Sequence, residues 1–148
     1  MRYALSVLLI GLVAGGCSST LEPGALAGQW HQSFGFPGAS FVMTLRATSS
    51  GVEGSGFGCG EAAQCGSYAI TGTVDGNGVH LDLVETVQQS QGNAVFTYHF
   101  DGHRFLSNTM RGTLRATGPS AEVGLSYPVT YQRGGTVPLT VEALTRNN

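Results

Sequence analysis

Residues 68–87 read YAITGTVDGNGVHLDLVETV. Tyr68, Ile70 and Val74 share one side of the first run. Val79, Leu81 and Leu83 share one side of the second, with His80 and Asp82 on the other. A period of two is the signature of a strand with one buried face. Between the runs, Asp75-Gly76-Asn77-Gly78 offers residues that accept the positive φ of a tight hairpin turn. The stretch therefore reads as a β-hairpin.

The pattern repeats on both sides. In SFVMTLRA (Ser40–Ala47), Phe41, Met43 and Leu45 alternate with Val42, Thr44 and Arg46. In AVFTYHF (Ala94–Phe100), Phe96, Tyr98 and Phe100 point one way. In TMRGTLRA (Thr109–Ala116), Met110 and Leu114 oppose Arg111 and Arg115. Ser49-Ser50-Gly51, Gln91-Gly92-Asn93, Asp101-Gly102 and Thr117-Gly118-Pro119-Ser120 supply reversals between the runs. From Leu26 onward this predicts about eight strands, with Val137–Ala143 as an extra one. The fold class expected is all-β: an antiparallel up-and-down meander, closed into a small barrel that leaves no exposed edge. Gly54, Gly56 and Gly58 fall on one face of their strand, which leaves room for a bulky neighbour or a sharp bend.

Composition narrows the partners. Charged residues are 11% of the chain and apolar ones 41%, with 23 glycines and a net charge of −2. All seven basic residues are arginine. Such a chain lacks the basic stripe that nucleic acid requires. Its apolar content argues against disorder.

The first residues have a separate logic. Met1-Arg2 carries one positive charge, and Tyr3–Val13 is apolar apart from Ser6. That run is shorter than the roughly 18 apolar residues a membrane span needs. A charged start, a short apolar core and small residues form a secretory signal peptide. Here Ala14-Gly15-Gly16 leads into Cys17. This resembles the lipobox of bacterial lipoproteins. The resemblance implies removal of residues 1–16, lipid attachment at Cys17, and a tether over residues 17–25 before a single barrel domain at 26–148. Ser18 after the cysteine implies sorting to the outer membrane, on the periplasmic side. The plain alternative is an ordinary signal peptide with an incidental cysteine.

In an oxidising compartment Cys59 and Cys65 are expected to form a disulfide. The alternative, a metal pair, lacks the spacing and companions of a zinc site.

Gly28-Gln29-Trp30, at the start of the first strand, resembles the Gly-x-Trp of the calycin-type barrels: lipocalins, avidins and small bacterial metalloprotease inhibitors. In those families the Trp plugs one end and an Arg of the last strand packs over it. The resemblance implies that Arg133, which shares a strand face with Val129 and Tyr131, closes the barrel with Trp30. The alternative is an ordinary core Trp in another β fold.

No catalytic constellation emerges. His99 and His103 read as surface histidines flanking an Asp101-Gly102 turn. Ser126 lacks the second glycine and the following helix of a nucleophile elbow. Asp75–Gly78 lacks the acid that would complete a calcium loop. Glu53, Asp82 and Glu85 read as scattered acids with no local partner. The expectation is a non-enzymatic, cofactor-free and metal-free envelope lipoprotein whose barrel binds a small apolar ligand or a protein partner. The alternatives are a packed barrel with a structural role, and a periplasmic hydrolase inhibitor.

Overall fold

The computed structural model describes residues 20–33, 40–60, 64–119 and 123–134. Cys17 and the Val137–Ala143 run lie outside them. Eight strands are present among the described residues: β1 (Gly28–Ser33), β2 (Ser40–Ala47), β3 (Val52–Cys59), β4 (Cys65–Asp75), β5 (Gly78–Gln89), β6 (Gly92–Leu106), β7 (Thr109–Ala116) and β8 (Ser126–Arg133). They follow one another around a closed barrel. Every neighbouring pair is antiparallel, β8 with β1 included. The alternation in the sequence therefore does specify an all-β, up-and-down closed barrel.

The β4–β5 hairpin turns at Gly76-Asn77, with Asp75 opposite Gly78 and Gly76 at φ 59°. Inward residues of all eight strands build one core, including Trp30, Met43, Leu45, Val52, Ile70, Leu81, Phe100, Met110 and Tyr131, all at least 97% buried. Outward positions carry His80, Asp82, His99, Asp101, Arg111 and Arg115. This apolar-inside, polar-outside wall is the reverse of a transmembrane barrel.

The expected turn at Asp101-Gly102 is not a turn. β6 runs straight through it, with Asp101 paired to His80 on one side and Thr113 on the other. The chain reverses instead at Ser107-Asn108. Gly102 is there for space. It pairs with Gly112 on β7, and the Phe100 ring lies over both. A Cβ at Gly102 would stand 2.3 Å from the ring, and one at Gly112 2.7 Å. Gly54, Gly56 and Gly58 act the same way for β2. Added Cβ atoms would meet Leu45 at 3.0 Å and the Phe41 ring at 3.1 and 3.0 Å.

Up-and-down topology puts the β2–β3, β4–β5 and β6–β7 turns at one end of the barrel. That end is plugged. A 3-10 turn over Pro23–Leu26 buries Leu26 completely. Leu21 donates its N–H to the Gly76 carbonyl and packs on the core. Leu21 and the 3-10 turn thus pack against the end of the barrel.

The two sequence-singled residues Trp30 and Arg133 are Cα partners across the β1–β8 seam. The Arg133 guanidinium lies 5.1 Å from the centre of the Trp30 ring. It donates to the Ala25 carbonyl at 3.1 Å and also to that of Ala27. Trp30 Nε1 donates to the Leu26 carbonyl at 2.8 Å. Gly28 belongs to the same device. Its φ is +130°, and a Cβ there would stand 3.3 Å from Arg133 Nε.

Cys59 and Cys65 are also Cα partners, at the far end of β3 and β4, with their sulfurs bonded at 2.11 Å.

In urea unfolding, Trp30→Ala should lower stability by about 3–5 kcal/mol through loss of a large buried ring. Arg133→Lys keeps the charge but not the planar fork, and should cost about 1–2 kcal/mol. Gly102→Ala should cost about 1–3 kcal/mol by overpacking against Phe100. A Gly102→Ala variant as stable as wild type would contradict the ring placement.

Candidate functional site

The end opposite the plug differs in kind. It gathers the last residues of β1, β3, β5 and β7 and the first of β2, β4, β6 and β8. Here inward-facing side chains include polar and incompletely covered ones. Glu85, on the inner face of β5 between Leu83 and Val87, is only 9% exposed. Tyr98, on the neighbouring β6, donates its hydroxyl to Glu85 Oε2 at 2.9 Å. The Tyr68 hydroxyl, from β4, is the second partner of this carboxylate. Burial, and then the hydrogen bond to Glu85, push the Tyr68 phenol far above its usual range. It stays a neutral donor. Gln32, the inner residue two positions beyond Trp30, is buried as well.

The aromatic setting is continuous. The Tyr68 ring meets Phe41 edge-on at 4.8 Å and Tyr98 at 6.5 Å. Phe41 continues to Tyr131, and Tyr131 to Phe100 in the core. Toward the rim, Tyr127 is 39% exposed although it lies on the inner face of β8, and Leu125 before it is 52% exposed. Phe96 and Leu114 are half-buried. Among the described residues, this end therefore gathers incompletely covered apolar side chains around one buried carboxylate that phenols hold.

Glu85 was expected to be a scattered acid with no local partner. The structure corrects this. Its strand alternation was the available signal, because Val79, Leu81, Leu83, Glu85 and Val87 share one face. Room for it comes from Gly66 on β4. A Cβ there would stand 2.5 Å from Glu85 Oε1.

A second cluster lies on the outer wall. His80 and Asp82 of β5 stand opposite Asp101 and His99 of β6. His80 Nδ1 is 2.5 Å from Asp101 Oδ1, and His99 Nδ1 is 2.7 Å from Asp82 Oδ1. His99 Nε2 is 3.4 Å from Asp101 Oδ2. The two imidazoles stack with their planes 22° apart. His99 and His103 do not flank a hairpin: both lie within β6. His80 is the partner the sequence reading did not assign. It sits 19 residues earlier and meets His99 only through strand pairing.

The hydrogen bond to Asp82 is the main cause that holds the His99 pKa above its ordinary value of 6.5. The bond to His80 is the main cause that holds Asp101 below 3.8. The first contact favours the folded chain on the acid side and is lost as pH rises through the His99 pKa. The second is lost as pH falls through that of Asp101.

Comparison with family models, with curated proteins and with solved structures gives no match to this chain.

The electrostatic reading is checked by following the His99 ring protons in an NMR titration. The midpoint should lie above 6.5 in wild type and fall in Asp82→Asn. An unchanged midpoint would show that Asp82 does not hold the charged ring.

Proposed function

We propose that the chain is a lipid-anchored envelope protein of the outer membrane that binds a small amphipathic ligand in the mouth of its barrel. The ligand would carry an apolar body and a hydrogen-bond-donating or cationic group. The observation that carries this reading is Glu85: a carboxylate inside the barrel, against tyrosines that are only part-buried. The Tyr98 hydrogen bond offsets the free energy that burying such a group costs, so the carboxylate is held in place inside the barrel. A binding site gains an anchor point for a donor.

Anchoring at Cys17 rests on the lipobox-like Ala14-Gly15-Gly16-Cys17. It also orients the barrel. Leu21 is tied to Gly76 at the plugged end. The four residues from Cys17 to Leu21 reach at most about 14 Å when extended. The plug therefore sits next to the lipid surface, and the mouth opens toward the aqueous side. The ligand arrives from that side and not from the bilayer beneath. Three acyl chains on one cysteine hold such a protein effectively permanently, since two signals already give stable anchoring. The calycin likeness of Gly28-x-Trp30 with Arg133 supports the same class of function, because barrels of this kind carry ligands in the mouth.

Two measurements test the parts separately. Radiolabelled palmitate should enter wild type and not Cys17→Ala, and equal labelling would remove the anchor. Native mass spectrometry of protein purified from its own cells should show a retained small molecule. Glu85→Ala should lose it while keeping the far-ultraviolet spectrum of a folded barrel. A wild-type barrel that carries nothing, or a Glu85→Ala variant that retains the molecule, overturns the mouth as a binding site.

A further inference from the structure

We propose that the outer wall of β5 and β6 holds a second site, for a late first-row divalent metal ion such as Zn²⁺, with His80, His99 and Asp101 as ligands. One ligand atom from each of these three residues lies within 4.8 Å of the other two. A tetrahedral zinc with bonds of about 2.0–2.1 Å places its ligand atoms about 3.3 Å apart. Asp101 is already 2.5 Å from His80 Nδ1 and 3.4 Å from His99 Nε2. Closing the set needs the two rings to draw together and the Asp101 carboxylate to back away from His80 Nδ1, so that the metal replaces the proton between them. The side chains are free to do so, being 41% and 35% exposed.

Asp82 is the independent sign. A metal on His99 Nε2 requires the ring's proton on Nδ1. Asp82 Oδ1 stands 2.7 Å from that Nδ1, where it accepts the proton. A carboxylate behind a metal-ligating histidine fixes the ring's tautomer and orientation and raises its basicity. Two unrelated cross-strand ion pairs would not need this order. An ordinary pair uses one nitrogen of each ring, whereas His99 is engaged at both, with Asp82 behind and Asp101 in front. The two rings are near-parallel, so both approach the Asp101 carboxylate from one side of the wall.

The surroundings set the charge. On β4, Thr73 opposes His80 and Thr71 opposes Asp82. On β7, Arg115 opposes His99 and Thr113 opposes Asp101. Next along β6, His103 opposes Gly78 and Arg111. Two carboxylates against the one guanidinium facing the cluster leave it net acidic, which favours a cation. Imidazole ligands select zinc, copper or nickel over magnesium and calcium, which take oxygen. Three protein ligands on an exposed wall leave coordination positions for water or for a group of another molecule.

The test uses the untagged full chain, stripped with a chelator and titrated calorimetrically with ZnCl₂. Wild type should take up one Zn²⁺ per chain, with the His80 and His99 ring resonances shifting together. His80→Ala and His99→Ala should each weaken binding by more than about 100-fold. Asp82→Asn should weaken it by about 10–100-fold with unchanged stoichiometry, the usual loss for an outer partner. His103→Ala, on the same strand but outside the set, should bind as wild type does. MgCl₂ should not compete. The proposal falls if folded wild type takes up no zinc. It falls equally if the double variant His80→Ala/His99→Ala binds as wild type, or if Mg²⁺ competes on equal terms, which would mark a plain acidic patch. Because these side chains are on the outer wall, the variants keep the core, and circular dichroism verifies that they are folded.

Discussion

Closure of the barrel depends on what Arg133 does across the seam. β1 and β2 pair over six residue positions, whereas β1 and β8 pair over only two. So short a ladder is a weak lock. Side chains complete it. The Arg133 guanidinium reaches the carbonyls of Ala25 and Ala27, while the Trp30 indole takes the carbonyl of Leu26 between them. Three successive carbonyls are thereby satisfied in a place where water is largely excluded, and unpaired they would cost free energy. The guanidinium also covers the Trp30 ring. Without this assembly β1 and β8 would be two free edges, each a template for pairing with other chains. Gly28 admits the assembly because it has no Cβ to block the arginine and can adopt a φ of +130°.

Much of this fold was legible in the sequence because strands have an invariant period. The inward residues of β2, β5 and β8 can be read directly from alternation. Asp101-Gly102 was misread for a physical reason. Glycine marks a turn and an inward space with the same letter, and only the partner strand tells them apart. Gly102 faces Gly112 beneath a phenylalanine ring, a three-residue arrangement spread over two strands. Glu85 was misread for another reason. It was read as an acid without a partner, although it shares the inward face of β5 with Leu83 and Val87. The tyrosines that partner it lie on β4 and β6, 17 positions before it and 13 after it.

The outer cluster shows the same limit from another side. His99 and Asp101 are neighbours on one strand, and so are His80 and Asp82. Neither pair alone has a metal-binding spacing. The antiparallel register of β5 and β6 sets each histidine against the other strand's aspartate. That register is in turn set by the core. Leu81 stands opposite Phe100 and Leu83 opposite Tyr98, so a slip of one residue would turn every apolar side chain outward. The interior thus determines the geometry of a wall it never touches.

The same reasoning explains why the disulfide sits where it does. Strands β3 and β4 meet near the mouth through Gly56, Gly58 and Gly66, which carry no side chains to pack against one another. Neighbouring groups fill the space they leave: the Phe41 ring over Gly56 and Gly58, and Glu85 over Gly66. This is what lets a carboxylate and aromatic rings occupy the inside of a narrow barrel. It also weakens the mouth end of the β3–β4 pair, since glycine in a strand contributes no packing and loses the most chain entropy on folding. The Cys59–Cys65 bond lies one step beyond the last of these glycines. It closes a short loop, so its entropic contribution is only about 2 kcal/mol. That contribution falls at the glycine-rich end of the β3–β4 pair. At the plugged end Trp30, Leu26 and Val52 are all at least 97% buried and belong to one core.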